Sequence, residues 1–481
     1  MTRAQLLIGG EWTDSVTGRT AETVNPATGE VIGTFAEASP VDIAAAVDAG
    51  RAGFESNRWQ SMSPDERGRI LWRIADLVER HASELAALET MDQGQPTTVS
   101  TTVNVPLVAQ TFRYYAGWAT KLKGKLSPVS VPDQLTYQRR APLGVCGLIT
   151  PWNFPLAIAG WKLAPALATG NAVVLKPAEQ TPLSTVRLVE LVLEAGIPPG
   201  VVNLVTGGPD AGKALVAHPR VDMVSFTGST AVGQEIVRTC SGTLKRVSLE
   251  LGGKAPSIVA PDADMQMAVV GNLRGALFNT GQACGAFTRF FVHRSKAEEF
   301  VSRLATAADS LRIGPGSDPE TVVGPLVSAE HLDRVASYVA LGEQQGAVRI
   351  NGGERVGGAF GRGFFYRPTV FADVTDDMTI ARDEIFGPVM CVMPYDDLDE
   401  AVARANNTDY GLAAAIWTQD LRTAHTLAPR IRAGTVFVNQ IPIIDPGAPW
   451  GGFGLSGWGR EMGSYALDEF TETQSVFVNL S

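Results

Sequence analysis

Residues 144–182 read GVCGLITPWNFPLAIAGWKLAPALATGNAVVLKPAEQTP. GVCGLIT and AVVLK are short apolar or β-branched runs of the buried-strand type. Between them, PLAIAGWKLAPALATG is helical and closes on a glycine, the residue best suited to a left-handed helix C-cap. The alternation continues, with GVVNLVT, VDMVSFT and RVSLEL as strands and STVRLVELVLEAG and TAVGQEIVRTC as helices. Strand, helix, strand in strict order predicts an α/β fold with a parallel, doubly wound, Rossmann-like sheet whose ligands sit at the carboxyl ends of its strands.

Beyond Gly253 the alternation resumes. PSIVA, RFFVHR, PVMCVMPY, AAAIW and TVFVN read as strands, and ADMQMAVVGNLRGALF, KAEEFVSRLATAADSLR, LDEAVARAN and DLRTAHTLAPRI as helices, so a second α/β domain is expected. The first hundred or so residues add a hairpin built from LIGGEWTD and VIGTFAEA, and several amphipathic helices. KLSPVSVPDQLTYQRRAP reads as a polar hairpin interrupting the first domain, and SVFVNL as a terminal strand. Exposed strand edges of this kind are commonly closed by a partner chain, which points to a homo-oligomer. Two or three domains fit a chain of 481 residues.

The chain carries 40 Lys and Arg against 50 Asp and Glu, a formal net charge of −10, with no basic cluster to follow a phosphate backbone. Nucleic acid is therefore not an expected partner. No window stays apolar for about 20 residues, and MTRAQLLIGGEWTDS lacks the apolar core and cleavage site of a secretory signal. A cytoplasmic protein that does not enter a membrane is expected. Cys146, Cys240, Cys284 and Cys391 are scattered without a CxxC pair, and the five histidines show no metal-ligand spacing. Neither a disulfide framework nor a metal site is expected.

Cys284 stands apart from the other three cysteines. It lies in FNTGQACGAFTRF, residues 278–290, where Gly281, Ala283, Gly285 and Ala286 leave room for an electrophile to reach a thiol. A small buried core residue is the competing reading. That reading is kept for Cys146, Cys240 and Cys391, which fall in strand or helix patterns. A nucleophilic cysteine usually needs a base, and the nearest histidine, His293, lies in a strand-like run. Glu250 of SLELGGK is the better candidate, a carboxylate at a strand end beside two glycines; its alternative is a solvated charge closing the strand. Asn153 of ITPWNFPL sits where the first strand meets its helix, either as an N-cap or as an amide donor to a developing oxyanion.

No GxGxxG follows a strand. In its place VSFTGSTAVGQEI ends a strand at Thr227-Gly228-Ser229 and opens a helix at once, where free amides and the helix dipole can hold a pyrophosphate. Lys176 and Glu179 of VLKPAEQTP come at the end of the second strand, where a ribose would lie. A carboxylate there accepts from ribose hydroxyls and repels a 2′-phosphate by about 4 kcal/mol at ~4 Å and an effective dielectric of ~20. NAD is favoured, and NADP stays open if Glu179 turns away and leaves Lys176 facing the phosphate.

In order along the chain, PWNFP, KPAEQTP, FTGSTAVG, LELGGK, GQAC, EIFGPV and PWGGFGLSGWGRE together resemble the aldehyde dehydrogenase superfamily, of the NAD(P)-dependent hydrolytic type, over nearly the whole chain. The resemblance implies that Cys284 is the nucleophile, Glu250 the base and Asn153 an oxyanion donor. It implies an NAD site formed by Thr150, Trp152, Lys176, Glu179, Gly208, Phe226, Gly228, Ser229 and Leu251, with Glu384 and Phe386 at the nicotinamide ribose and ring. The implied organisation is an NAD-binding domain of residues 1–121 and 141–252, a catalytic domain of 253–455, and a small β-hairpin oligomerisation domain from segments 122–140 and 468–481. A homodimer or homotetramer follows from it. The implied reaction runs from an aldehyde through a Cys284 thiohemiacetal and thioester to the acid, and the presence of Glu250 favours hydrolysis over transfer to coenzyme A.

Aligned with that family, Val103, Leu107, Ile158, Trp161, Ala283, Ile443, Ile444 and Trp450 surround an aldehyde tunnel. Such an apolar and aromatic lining suits medium aliphatic or aromatic aldehydes. APWGGF resembles the betaine-aldehyde and aminoaldehyde branch, in which Trp450 would face an ammonium group, and Asp445 would be the residue to receive an amine. QIPIIDP departs from that branch, so the apolar reading is preferred. A cysteine acyl hydrolase or acyltransferase without redox chemistry is the alternative from another class, and a fold that has lost catalysis is the third.

Overall fold

The first large sheet of the computed structural model, which describes residues 2–481, has eight strands. Five run parallel in the spatial order Arg246–Glu250, Met223–Thr227, Val145–Ile149, Ala172–Lys176 and Val202–Leu204. All but the outer end of Arg246–Glu250 are buried, which is why they read as continuous apolar runs instead of alternating ones. The chain enters at Val145–Ile149, winds outward to one side and returns to the other. The reversal between Val145–Ile149 and Met223–Thr227 opens a crevice at their carboxyl ends. Antiparallel strands Leu6–Ile8, Glu11–Thr13 and Gly457–Trp458 close the two edges.

A second sheet has seven strands, in the order Val348–Asn351, Thr369–Ala372, Val389–Tyr395, Phe287–His293, Ala255–Val259, Ala413–Trp417 and Thr435–Val438. Only Val348–Asn351 runs antiparallel to its neighbour. Two doubly wound α/β units are thus present, as the alternating pattern predicts. Three elements of the second unit carry weaker patterns and escape the sequence reading: Thr369–Ala372, Val348–Asn351 and the helix Ala329–Gln344.

The N-terminal hairpin differs from expectation. LIGGEWTD is a hairpin by itself and joins the edge of the first sheet through Leu7 and Leu204. VIGTFAEA instead pairs with Thr20–Asn25 and Thr2–Ala4 in a separate three-stranded sheet. Gly9 and Gly10, both with positive φ, make the first turn so tight that no second segment is needed to complete it. The segment around Gln134–Pro142 pairs with Lys125–Leu126 and, over nine residues, with the terminal strand Thr471–Asn479.

Helix Met265–Leu277 lies on the second sheet and delivers the chain to Cys284. It sits close because Gly271 and Gly275 fall on one face, one helical turn apart. A Cβ at Gly275 would come within 2.6 Å of the buried Phe287 ring, and one at Gly271 would collide with the buried Trp417 ring. Trp417 is fixed by its indole N–H donating to Ser257 (3.0 Å). Gly271→Ala is therefore expected to destabilise the protein by about 1–3 kcal/mol through overpacking. A denaturant midpoint equal to that of the wild-type chain would contradict this packing.

Candidate active site

Asn279, Thr280 and Gly281, with φ of 49°, 59° and 78°, are three successive residues in the left-handed region. Only glycine visits that region freely, and each other residue costs roughly 1 kcal/mol or more. Side chains hold the turn. Asn279 Nδ2 donates to the Asn153 carbonyl oxygen (2.8 Å), and Gln93 Nε2 donates to Asn279 Oδ1 (3.1 Å). Thr280 Oγ1 donates to the Gly324 carbonyl (3.2 Å), and Gln282 Oε1 accepts from the Val327 amide (2.9 Å). The turn ends one residue before Gln282 and presents Cys284 on the wall of a cavity of about 320 Å³.

Glu250, at the end of its strand, lines the same cavity. So do Val103, Leu107, Ile158, Trp161, Ala283, Ile443, Ile444 and Trp450, the residues aligned to the tunnel. Gly285 is small because Trp450 lies against it: a Cβ there would meet the indole at 2.9 Å. The wall also includes Phe154, Phe278, Gln110 and Arg274, which the sequence reading did not assign. Asp445 is not part of this wall. It is exposed, and its Oδ1 accepts from the Gly447 amide (2.7 Å) within a turn, so the placement of Asp445 as an amine receptor is not supported.

Burial pushes the Cys284 thiol well up, the Glu384 and Glu250 carboxylates add to the rise, and the Gly285 and Cys284 amides oppose it. Burial also pushes Glu250 well above the ordinary carboxylate range; the Glu461 carboxylate adds to this, and Lys162 and Arg460 counter it. Both Glu250 oxygens are buried without a hydrogen-bond partner in the protein, and Oε1 faces Gly451, where a Cβ would come within 2.6 Å. Lys162, the one charged residue in its apolar helix, is buried and bonds to Ser225 Oγ (2.8 Å) and Glu461. Asn153 is buried and does not cap its helix; Phe154 occupies the N-cap without a side-chain bond. One Asn153 amide hydrogen goes to the Gln282 carbonyl (2.9 Å), which leaves the second to donate elsewhere.

A groove of about 330 Å³ fills the crevice of the first sheet and is lined by Thr150, Trp152, Lys176, Glu179, Phe226, Gly228 and Ser229. Gly208 stands at its border as the N-cap of helix Pro209–Ala217, with open space where a Cβ would be. Ser229 caps helix Thr230–Cys240, accepting from the Val232 amide (3.4 Å). Two helix N-termini thus flank the groove and suit a pyrophosphate. Lys176 Nζ donates to the Pro177 carbonyl (3.2 Å) and lies 3.9 Å from Glu179. Leu251 lines the Cys284 cavity and packs against Gly233 of the capped helix. Glu384 Oε1 accepts from the Gly253 amide (2.8 Å), and Phe386 meets Trp152 edge-on, ring centres 5.3 Å apart. Amide donors at the helix termini, the Lys176 and Glu179 pair and the aromatic end are groups that suit a dinucleotide. Groove and cavity meet at Thr227, which lines both.

This geometry is shared with a known group of enzymes. The sequence model of the aldehyde dehydrogenase family matches residues 12–476. A putative aldehyde dehydrogenase, DhaS, of Bacillus subtilis is 49% identical over 477 residues, spanning 99% of this chain and 96% of that protein. The human mitochondrial aldehyde dehydrogenase is 48% identical over 479 residues, 99% of this chain and 92% of that one. A solved NAD+ complex of aldehyde dehydrogenase from Bacillus cereus superposes with a TM-score of 0.98 at 47% identity, covering 100% of this chain and 97% of that one. A betaine aldehyde dehydrogenase from Staphylococcus aureus, solved with NAD+, superposes equally well, TM-score 0.98, at 37% identity over 99% and 95% of the two chains. The chain belongs to the aldehyde dehydrogenase family, and it is an oxidoreductase of the α/β fold that its sequence predicts.

The left-handed turn offers a direct test. Asn279→Ala removes a residue that tolerates positive φ together with a buried bond to Asn153, so a loss of about 1–3 kcal/mol is expected. The turnover number should fall as Cys284 loses its register with Asn153. Wild-type stability and turnover in this variant would show that the clamp does not hold the turn.

Proposed function

We propose that the protein oxidises an aldehyde to its carboxylic acid with NAD, through a covalent Cys284 adduct that is hydrolysed with the help of Glu250. The observation that carries this reading is the shared wall at Thr227, which sets a dinucleotide groove directly against a cavity holding a thiol and a carboxyl. Residues 1–121 and 141–252 form the NAD-binding domain in this reading, 253–455 the catalytic domain, and 122–140 with 468–481 the oligomerisation segments of a homodimer or homotetramer. The unpaired outer edge of Thr471–Asn479, with Phe477 exposed, supports the last assignment. The unpaired state of all four cysteines agrees with a cytoplasmic location.

The cofactor is held along the groove: helix N-termini at Gly208 and Ser229 take the pyrophosphate, Lys176 and Glu179 the adenosine ribose, and Glu384 and Phe386 the nicotinamide end. Bound NAD supplies the acceptor for the hydride that leaves the tetrahedral carbon. Cys284 sulfur adds to the aldehyde carbon, its proton passing to a deprotonated Glu250 in the same cavity. The free Asn153 amide hydrogen and the Cys284 backbone amide receive the charge that develops on oxygen. After the thioester forms, Glu250 gives the proton taken from the thiol to solvent and takes one from the water that attacks the acyl carbon; the carbon–sulfur bond then breaks, the acid leaves and Glu250 returns its proton to the Cys284 sulfur. The Glu179 carboxylate, on the groove wall, opposes a 2′-phosphate and favours NAD over NADP.

The cavity is predominantly apolar, which supports medium aliphatic or aromatic aldehydes. Trp450 on its wall would favour betaine aldehyde or an aminoaldehyde through its ring face. That second reading is weakened by a cationic Arg274 on the same wall and by the absence of a carboxylate there other than Glu250. A hydrolase without redox chemistry is also disfavoured, because no histidine lines the cavity to serve the thiol.

Reduced-nicotinamide formation tests the proposal. Cys284→Ala should abolish aldehyde oxidation while NAD still binds, and oxidation at the wild-type rate would refute the assignment. Glu250→Gln should slow both the first release of reduced cofactor and the later release of the acid, because Glu250 takes the proton of the thiol in the first step and that of water in the second. Since burial raises the Glu250 carboxyl, its active, deprotonated form appears only above the ordinary carboxylate range. Turnover is therefore expected to rise with pH along a limb displaced upward from that range and to lose this limb in Glu250→Gln.

A further inference from the structure

We propose that Arg274 selects aldehydes that carry a carboxylate at the end opposite the reacting carbon; this rests on the oxidation argued above and names the substrate class for the same cavity. Two charged residues line the cavity, and they differ in depth. Glu250 is buried beside the catalytic cysteine, whereas Arg274 is exposed to solvent. The rest of the wall is largely apolar, with Val103, Leu107 and Ile444 suited to a methylene chain or an aromatic ring. A molecule with a polar anionic tail and an uncharged aldehyde head matches that sequence of surfaces.

Arg274 is in the last turn of helix Met265–Leu277, where a cation complements the helix dipole. That accounts for a positive residue on the helix and not for its place on the cavity wall. Among the described residues the guanidinium forms neither an ion pair nor a hydrogen bond. Gln110 of helix Val105–Trp118 also lines the cavity; it is exposed, and its side chain makes no hydrogen bond among the described residues. Two exposed, unengaged donors therefore line a largely apolar cavity. A guanidinium presents paired N–H groups that match a carboxylate, and an amide can add a third donor.

The charge also sets direction. A carboxylate held by Arg274 leaves the aldehyde to extend inward, and it keeps the anion away from Glu250, which would repel it in the reversed pose. A cationic tail meets repulsion at the same place. Acid-bearing aldehydes should thus be preferred to neutral ones of equal length, and neutral ones to cationic ones.

The experiment compares kcat/KM for adipate semialdehyde and hexanal, and for carboxybenzaldehyde and benzaldehyde, in the wild-type enzyme and in Arg274→Gln. The acid-to-neutral ratio is expected to exceed one in the wild type and to fall about tenfold in the variant, chiefly through KM, with Arg274→Lys intermediate because it keeps the charge and loses the fork. Added salt should lower the wild-type ratio and leave that of Arg274→Gln nearly constant. A ratio that is the same in wild type and Arg274→Gln overturns the proposal and leaves Arg274 an ordinary surface cation. Calorimetric binding of hydroxyhexanoate against hexanol reads the site without turnover. Tighter binding of hydroxyhexanoate that disappears in Arg274→Gln supports the carboxylate site even if no aldehyde is oxidised, an outcome that would sink the oxidation reading alone; equal binding of the two overturns the carboxylate site.

Discussion

The bond from the Asn279 side chain to the Asn153 carbonyl is the constraint on which the active site depends. It joins the two α/β units at the point where each supplies chemistry: Asn153 from the crevice of the first sheet, and the turn before Cys284 from the second. The Asn153 amide returns a bond to the Gln282 carbonyl, so the contact is reciprocal and fixes both chain direction and distance. A run of three left-handed residues would not persist in isolation, since two of them are not glycine. Its cost is offset by buried hydrogen bonds, of which those from Gln93 and those with Asn153 form only when the two units are docked. Strain at the nucleophile and docking of the domains are therefore one problem with one solution.

The same turn is tied to the loop expected at the nicotinamide end. Gly281 backs onto the Gly387 carbonyl, one residue beyond Phe386, so closely that a Cβ could not be accommodated. Phe386 is itself left-handed, with φ of 63°, and its carbonyl accepts from His331 Nε2 (2.7 Å). Burial holds the His331 pKa down at about 4, so the ring is neutral at ordinary pH and this bond does not switch with charge. On the other side, Ser456 Oγ donates to the Gly252 carbonyl (2.7 Å) and accepts from the Gly411 amide (3.0 Å), which pins the loop that follows Glu250. The segments that carry Cys284, Glu250 and Phe386 are each anchored by side chains bonded to backbone groups. Positional precision of this kind is what covalent catalysis needs.

The strands of the two sheet centres were legible in the sequence because burial on both faces makes them continuously apolar, and no other element of that length has that pattern. Cys284, Glu250 and the tunnel residues were legible by their motifs, and the structure brings them to one cavity. The edges were harder. VIGTFAEA pairs outside the hairpin assigned to it, because edge strands are short and only half buried and their partner is set by tertiary contacts. Asn153 resembles an N-cap in sequence, yet its side chain is drawn away by a carbonyl 129 residues further on. Arg274 falls at a helix end, where cations are common, and only three dimensions show that this end borders the cavity. Lys162 did leave a trace, as a lone charge in an apolar helix, and its meaning came only with Glu461 and Ser225 beside it.

The electrostatics of the site follow from its dryness. Burial drives Cys284, Glu250 and Glu384 all toward their neutral forms, and each carboxylate raises the thiol further. Charge on either carboxylate therefore disfavours charge on the sulfur. Charge on the sulfur is then favoured when a neighbouring carboxyl is protonated, and charge on Glu250 when the sulfur is neutral or acylated. Proton transfer from Cys284 to Glu250 keeps the total constant. In the proposed reaction the thioester carries no charge on sulfur, which removes one obstacle to ionisation of Glu250. Lys162 and Arg460 keep Glu250 within reach of ionisation without a direct bond that would block it.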